Sequence, residues 1–392
     1  MKKKALQERQ SEFELPCCRF CYLLLSDKQC SGRSQTAADM KCRRKWMFLQ
    51  VTLMSVFVLC LTTVFLKMKH FTGSFPEMME PDNQQDLHRT IQIRKIEKRI
   101  NMTQVIKTIQ DMQNHPWEFN ITKLKVHSSE LRQKCNATQE MILSQKNTRK
   151  GQNITYEVER KSVKSVDDSL FQMLPKTFPW SSYLGHCAVV GNGGILKESR
   201  CGQQIDKADF VFRMNMPPMT NTTDVGRKTS MLTLNPSIMK KFASLDYARR
   251  PFAEQMKQYS GASVLMPAFS YTECTVPSFK VYYTLQEFNF QKVFFLHPDY
   301  LLRLSNYWKQ KRLKFIRLSS GMMLVSAALE LCESITLYGF WPYSFGLSEQ
   351  PLSHHYYDDV QPKHNVHDMP SEFWTYARMH LEGVLKLHLG NC

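Results

Sequence analysis

The sequence predicts an α/β domain with a mainly parallel sheet, carried behind one membrane-spanning helix and a stem. Three observations predict it. From about Ser169 onward, short apolar bursts alternate with helical patterns, as strands joined by crossover helices do. Far upstream, an uncharged apolar run covers residues 46–66. Between the two, a polar stretch carries Leu87, Ile91, Ile96, Ile100, Ile106 and Ile109 at near-helical spacing.

Residues 1–45 hold eleven Lys/Arg against five Asp/Glu, opening on Lys2-Lys3-Lys4 and closing on Arg43-Arg44-Lys45. The apolar run follows and ends at Lys67 and Lys69. At about 1.5 Å per residue it spans roughly 30 Å, one bilayer core. It has no amphipathic stripe, which argues against a buried core helix. It is too long, and too far from the start, for a cleaved signal peptide. A signal anchor fits, with its basic side cytoplasmic and all that follows lumenal. The expected organisation is tail 1–45, transmembrane anchor 46–66, stem 67–114 and lumenal catalytic domain 115–392. The stem's periodic stretch has two readings: a stalk helix that packs on itself or on a partner, or a functional oligomerisation element that would make a homodimer.

Five Asn-x-Ser/Thr sequons support this sidedness, because Asn101, Asn120, Asn136, Asn153 and Asn221 all follow the anchor. Cys135, Cys187, Cys201, Cys274, Cys332 and Cys392 also follow it, in a compartment that permits disulfides. The net charge of +17 would suit nucleic acid, but a lumenal domain never meets it. The part beyond the tail keeps forty-one basic against thirty acidic residues, a balance suited to anionic substrates.

Within the domain, strands are expected at 188–190, 210–212, 231–234, 263–266, 293–296 and 335–338, and helices at 322–331 and 373–387. Gly191-Asn192-Gly193-Gly194 follows the first strand, as a phosphate-binding loop would. Neither G-x-G-x-x-G nor G-x-x-x-x-G-K-[ST] is present, so a tight turn is an equally good reading. Phe212-Arg213-Met214-Asn215 ends the next strand. Ligands of open α/β sheets sit beyond the carboxyl ends of the strands, which puts Asn192 and Asn215 at one crevice. Arg317-Leu318-Ser319-Ser320-Gly321 precedes an apolar helix. One serine is a natural N-cap, and the helix start is also an anion site. The densest titratable cluster runs from Ser353-His354-His355-Tyr356-Tyr357-Asp358-Asp359 through His364 to His367 and Glu372. Metal ligation is one reading, but H-E-x-x-H and D-x-D are both absent. Acid–base chemistry fits better, because histidine exchanges a proton near neutral pH. Glu372 is expected to orient an imidazole and raise its basicity.

These stretches, in this order, resemble the motifs of the animal sialyltransferases. Residues 187–218 resemble the large motif and 318–340 the small one. His355-Tyr356-Tyr357-Asp358 resembles the third motif, and His367 with Glu372 the very small motif H-x-x-x-x-E. VGNGGIL, LYGFWP and HHYYD are similar to the α2,8-sialyltransferases, in the branch acting on gangliosides and O-glycans.

The resemblance implies a Rossmann-like, variant GT-A domain. It implies an inverting transfer from CMP-sialic acid, without metal or other cofactor, to a terminal sialic acid of a glycolipid or glycoprotein. It also implies residence in the Golgi membrane as a single-pass type II protein. Carried onto this sequence, it gives Asn192 and Asn215 to the nucleotide, and Ser319, Ser320 and Gly321 to the donor. Trp341 falls at the cytidine side, His355 at the departing phosphate, and His367 acts as the general base. It pairs Cys187 with Cys332 and Cys201 with Cys392, leaving Cys135 and Cys274 over. Met214 and Lys134 depart from the pattern, each standing where relatives carry cysteine.

Overall fold

The computed structural model describes residues 102–180, 183–314, 317–358 and 367–392, all within one compact unit, Glu80–Cys392. The expected anchor at 46–66, most of the stem, Asn101 and His364 lie outside the described residues.

Seven strands form one sheet: β3 (His186–Val190), β4 (Phe210–Met214), β5 (Met231–Thr233), β6 (Ser263–Met266), β7 (Lys292–Phe295), β8 (Ser334–Tyr338) and β9 (Lys386–His388). Every neighbouring pair is parallel. A parallel sheet is covered on both faces, so its strands are nearly continuous apolar runs, which is why six were readable. Successive side chains alternate between the faces. Cys187, Val189, Phe212, Leu265 and Leu337 join one core, while Ala188, Val190, Val211, Val264 and Tyr338 join the other.

The first core is closed by α2 (Ile121–Lys134), α9 (Pro298–Gln310), α10 (Ser320–Leu331) and α11 (Met369–Leu381). The second is closed by α4 (Asp168–Met173), α5 (Gly202–Lys207), α7 (Arg249–Met256) and α8 (Thr272–Glu287). Further elements are α1 (Met102–Gln113), α3 (Ala137–Glu140), α6 (Thr222–Val225), short 3-10 turns at Gly194–Leu196, Pro236–Leu245 and Lys257–Tyr259, and the antiparallel pair β1 (Asn153–Thr155) and β2 (Val163–Ser165).

The strand order is β7-β6-β5-β4-β3-β8-β9. The chain steps outward from β3 to β7, then returns to the other side of β3 as β8 and β9. The order reverses between β3 and β8. Loops leaving two such strands diverge and open a crevice at their carboxyl ends.

Three expectations need correction. The last helix stops at Leu381 rather than residue 387, because Gly383 takes φ +74°, and a Cβ there would meet the Glu118 carbonyl at 2.4 Å. The released chain forms β9 instead. The β1–β2 pair was unforeseen, since its strands are short and largely exposed. The segment expected as stem up to residue 114 ends in α1, which buries Val105, Ile109 and Met112 in the first core.

Candidate active site

A cavity of about 190 Å³ opens at the switch point. Its walls are the segments leaving β3, β4, β5 and β8, the first turns of α10 and α11, and the histidines of the third motif. Asn192, Asn215, Ser319, Ser320, Gly321, Trp341, His355, His367 and Glu372 all line it.

The glycines of the loop after β3 have a different use from the one their position suggests. The amides of Gly191 and Gly193 donate to the Tyr338 and Gly339 carbonyls at 2.7 and 2.9 Å, and that of Gly194 to His354 O at 3.2 Å. A Cβ on Gly191 or Gly193 would lie 2.5 or 2.6 Å from Gly339 O, and one on Gly194 2.1 Å from Ser353 O. The glycines let three backbones meet; they are not a phosphate cradle. Polar recognition falls to the side chains instead. Asn192 is buried and donates through Nδ2 to Met214 O at 3.0 Å. The Oδ1 atoms of Asn192 and Asn215 are buried without a partner among the described residues. An orphaned buried acceptor is costly, so both are built to receive a donor. Arg213, between them in sequence, turns to the opposite layer. There it donates to the carbonyls of Lys228 at 3.0 Å and Val225 at 2.6 Å.

Ser319 is the N-cap of α10: its Oγ accepts from Met322 N at 3.0 Å. The amides of Ser320 and Gly321 then lack intrahelical acceptors by helix geometry. Gly321 is required for packing, since a Cβ would meet Phe340 at 2.9 Å.

Glu372 does not orient an imidazole. It accepts the Ser319 amide at 2.9 Å and the Ser319 hydroxyl, and Tyr376 Oη lies 3.5 Å away. Burial pushes its carboxyl up to about 7, against the pull of those hydrogen bonds. His367 is oriented by backbone: its Nδ1 lies 2.8 Å from Arg317 O. A carbonyl only accepts, so Nδ1 carries a proton, and in the neutral imidazole the lone pair is on Nε2. The H-x-x-x-x-E pair thus grips one segment, residues 317–319, at both ends. His355 holds Asp358 through Nδ1 at 3.0 and 3.1 Å and stacks on Tyr357 at 5.0 Å. Trp341 donates through Nε1 to Phe345 O at 2.6 Å, which fixes its ring in the wall.

A family model, glycosyltransferase family 29 (sialyltransferase), matches residues 131–384. The chain belongs to this sialyltransferase family. It is 44% identical over 300 residues to alpha-2,8-sialyltransferase 8F of Mus musculus, covering 75% of each chain. It is 43% identical over 303 residues to alpha-2,8-sialyltransferase 8E of Rattus norvegicus, covering 76% of this chain and 81% of that one. A solved mammalian sialyltransferase aligns at TM-score 0.37 and 18% identity, over 80% of this chain and 88% of that one.

In this sialyltransferase both implied disulfides are present. Cys187–Cys332 ties the first residues of β3 to the end of α10. Cys201–Cys392 pins the C-terminus beside the loop after β3, where Cys392 N also donates to Ser199 O at 2.8 Å. Cys135 and Cys274 are free thiols. Of the described sequons, Asn153 and Asn221 are exposed. Asn120 caps α2, and Asn136 sits at φ 59° before α3.

Sequence reasoning missed Asn235 as a cavity residue. The signal was available: an asparagine follows each of β3, β4 and β5 within two residues, at Asn192, Asn215 and Asn235. It also left Asp358 without a task, although it sits three residues from its partner His355.

Proposed function

We propose that this sialyltransferase moves sialic acid from CMP-sialic acid onto a terminal sialic acid of a glycolipid or glycoprotein glycan, forming an α2,8 linkage with inversion and without a metal. The observation that carries it is the convergence of all four motifs on one cavity at the switch point of the sheet. The linkage is supported by the names of its relatives.

The roles follow from the geometry. Asn192 and Asn215 offer unpartnered oxygens to the donors of the nucleotide. The amides of Ser320 and Gly321 and the start of α10 face the phosphate, a helix-terminus site for an anion. A Glu372 carboxyl that readily holds a proton adds little repulsion there. Trp341 presents a ring fixed at its Nε1 to the cytidine. His355, with Nδ1 held by Asp358, offers Nε2 to the phosphate as negative charge builds on it. His367 takes the acceptor proton on Nε2. The acceptor hydroxyl oxygen bonds to the anomeric carbon as the bond from that carbon to the phosphate oxygen breaks. CMP leaves with the electron pair, and His367 becomes imidazolium. Positioning and electrostatics supply most of the rate in such a transfer.

The reading also takes the enzyme to be a type II Golgi membrane protein, anchored by residues 46–66 and glycosylated at its five sequons. It includes no nucleic-acid partner, and it leaves the stem as the place for a homodimer contact.

The test is transfer by the full-length enzyme in detergent, given CMP-sialic acid with sialylated and asialo acceptors, with and without EDTA. Transfer confined to sialylated acceptors and unchanged by EDTA is the expected result. Transfer to asialo acceptors would move the enzyme to another linkage.

A further inference from the structure

A second, smaller cavity adjoins the first. The two share Asn235, Ser319, Ser320 and His367. His367, whose Nδ1 is taken by the Arg317 carbonyl, therefore stands on the boundary between them. Apart from these shared residues, no residue of the second cavity has a part in the donor roles above.

Its lining is unlike that of a packing void. Leu296, Leu301, Leu304 and Met323 give it an apolar floor, yet Arg317, its partner Glu157, Thr233 and Ser305 also line it. Thr233 is 2% exposed, and its hydroxyl has no hydrogen-bond partner among the described residues. Arg317 is pre-positioned on three sides. Its Nη2 donates to Glu157 at 3.1 Å, its guanidinium lies 5.1 Å from the centre of the Tyr271 ring, and its carbonyl accepts from His367. Glu157 is itself fixed by the Ser270 hydroxyl. A guanidinium has five N–H donors, and one carboxylate uses only part of that fork. The cavity measures about 70 Å³. A water needs only about 10–15 Å³ on this measure, so the space takes a group of a few heavy atoms and excludes a whole sugar ring.

An arginine fork and a hydroxyl over an apolar floor supply donors that suit a small planar anion such as a carboxylate. We propose that this second cavity receives the carboxylate of the acceptor's terminal sialic acid, with Arg317 and Thr233 as its donors. The inference rests on the sialylated-acceptor reading above. It makes Arg317 the specificity-determining residue of that reading. Its side chain holds the nucleophile's sugar, while its carbonyl orients the base that deprotonates the nucleophile. An asialo acceptor offers no carboxylate and leaves Arg317 and Thr233 unfilled.

The test compares a sialylated oligosaccharide acceptor with the same acceptor carrying its terminal carboxylate as the methyl amide. The enzymes are the full-length wild type, Arg317→Met and Thr233→Val. Loss of a charge-assisted hydrogen bond corresponds to about ten- to a hundredfold. The wild type should lose that much kcat/KM on the amide, mainly through acceptor KM. Arg317→Met should lose a similar amount on the acid and show no further loss on the amide, with the KM for CMP-sialic acid within about twofold of wild type. Thr233→Val should narrow the acid-to-amide ratio by about threefold or more. The wild-type ratio and the Thr233 variant keep the test decisive if Arg317→Met does not fold. A wild type indifferent to amidation, or variants that keep the wild-type ratio, would overturn the proposal while leaving α2,8 transfer standing. Transfer to asialo acceptors instead would mark the failure of the linkage reading itself.

Discussion

At the scale of single residues, His367 and Glu372 hold the same short segment by opposite chemistries, and their substitutions should separate. His367 contributes a lone pair on Nε2 and one bond to a carbonyl. His367→Ala should lower kcat by about 10²- to 10⁴-fold, the usual share of a general base. CMP affinity, measured by calorimetry, should stay within a few-fold. Turnover near the wild-type level would take the base role away from His367. Glu372 is a holder of structure. Glu372→Ala strands the Ser319 amide and hydroxyl in a buried place, at about 1–3 kcal/mol, and frees the start of α10. That variant should lose denaturant stability and CMP affinity together. Glu372→Gln keeps an acceptor for the Ser319 amide and should retain most of both. Equal behaviour of the two variants would mean that the hydrogen bonds to Ser319 do not carry the effect.

At the scale of elements, the crevice depends on how closely the segments after β3 and β8 approach. Gly191 and Gly339 face each other across it, and a Cβ at Gly339, which has φ +70°, would lie 2.8 Å from Gly191 O. Gly191→Ala should therefore cost about 1–3 kcal/mol of stability, read by urea denaturation. It should also weaken CMP binding, because Asn192 is the next residue. A variant as stable as the wild type would show that the two backbones can separate without loss. The same elements show what a single sequence conveys. Strands β3 to β8 were legible because burial on both faces makes each a continuous apolar burst. β9 was not, because only Leu387 is buried in it, and that leucine, with Val384 and Leu385 before it, reads as a continuation of α11. What cuts them off is Gly383, whose obstacle, Glu118 O, is hundreds of residues away in sequence. The candidate site was legible as a set of residues, since motif positions at strand ends and helix starts converge by topology. Its wiring was not. Hydrogen bonds from Ser319 to Glu372 and from His367 to Arg317 are long-range pairings that no local spacing encodes. The glycine loop looked like a phosphate loop because its partner, Gly339, is also far away in sequence.

At the scale of the whole molecule, cross-links and buried ionisable groups set the conditions under which the crevice persists. The disulfides span 145 and 191 residues of chain. Loops that long remove much of the unfolded chain's freedom, so Cys201→Ser should cost about 2–4 kcal/mol and release the C-terminus from the loop after β3. The buried groups act through pH. Glu372, at the active site, and Glu330, whose carboxylate accepts the Ala137 amide at 2.9 Å, are both pushed by burial up to about 7. In the unfolded chain a glutamate titrates near 4.5. Both therefore favour the folded state most fully below pH 4.5, and that contribution is lost as pH rises to about 7. His297 and His380 run the other way. Burial lowers both to about 4 from 6.5, so their contribution is complete above 6.5 and is lost as pH falls toward 4. The two sets oppose each other across nearly the same window, so part of the pH dependence cancels in the wild type, although burial lowers His186 and His388 as well and adds to the histidine side. Replacing both glutamates by glutamine removes only the falling part. The melting temperature of Glu330→Gln/Glu372→Gln, relative to wild type, should then climb from pH 4.5 to 7 by at least ~5 °C. Curves that stay parallel across that window would show that neither carboxyl holds its proton more tightly in the folded state. The same window covers mildly acidic pH, where a Glu372 that keeps its proton leaves the start of α10 free of opposing charge when an anionic donor arrives.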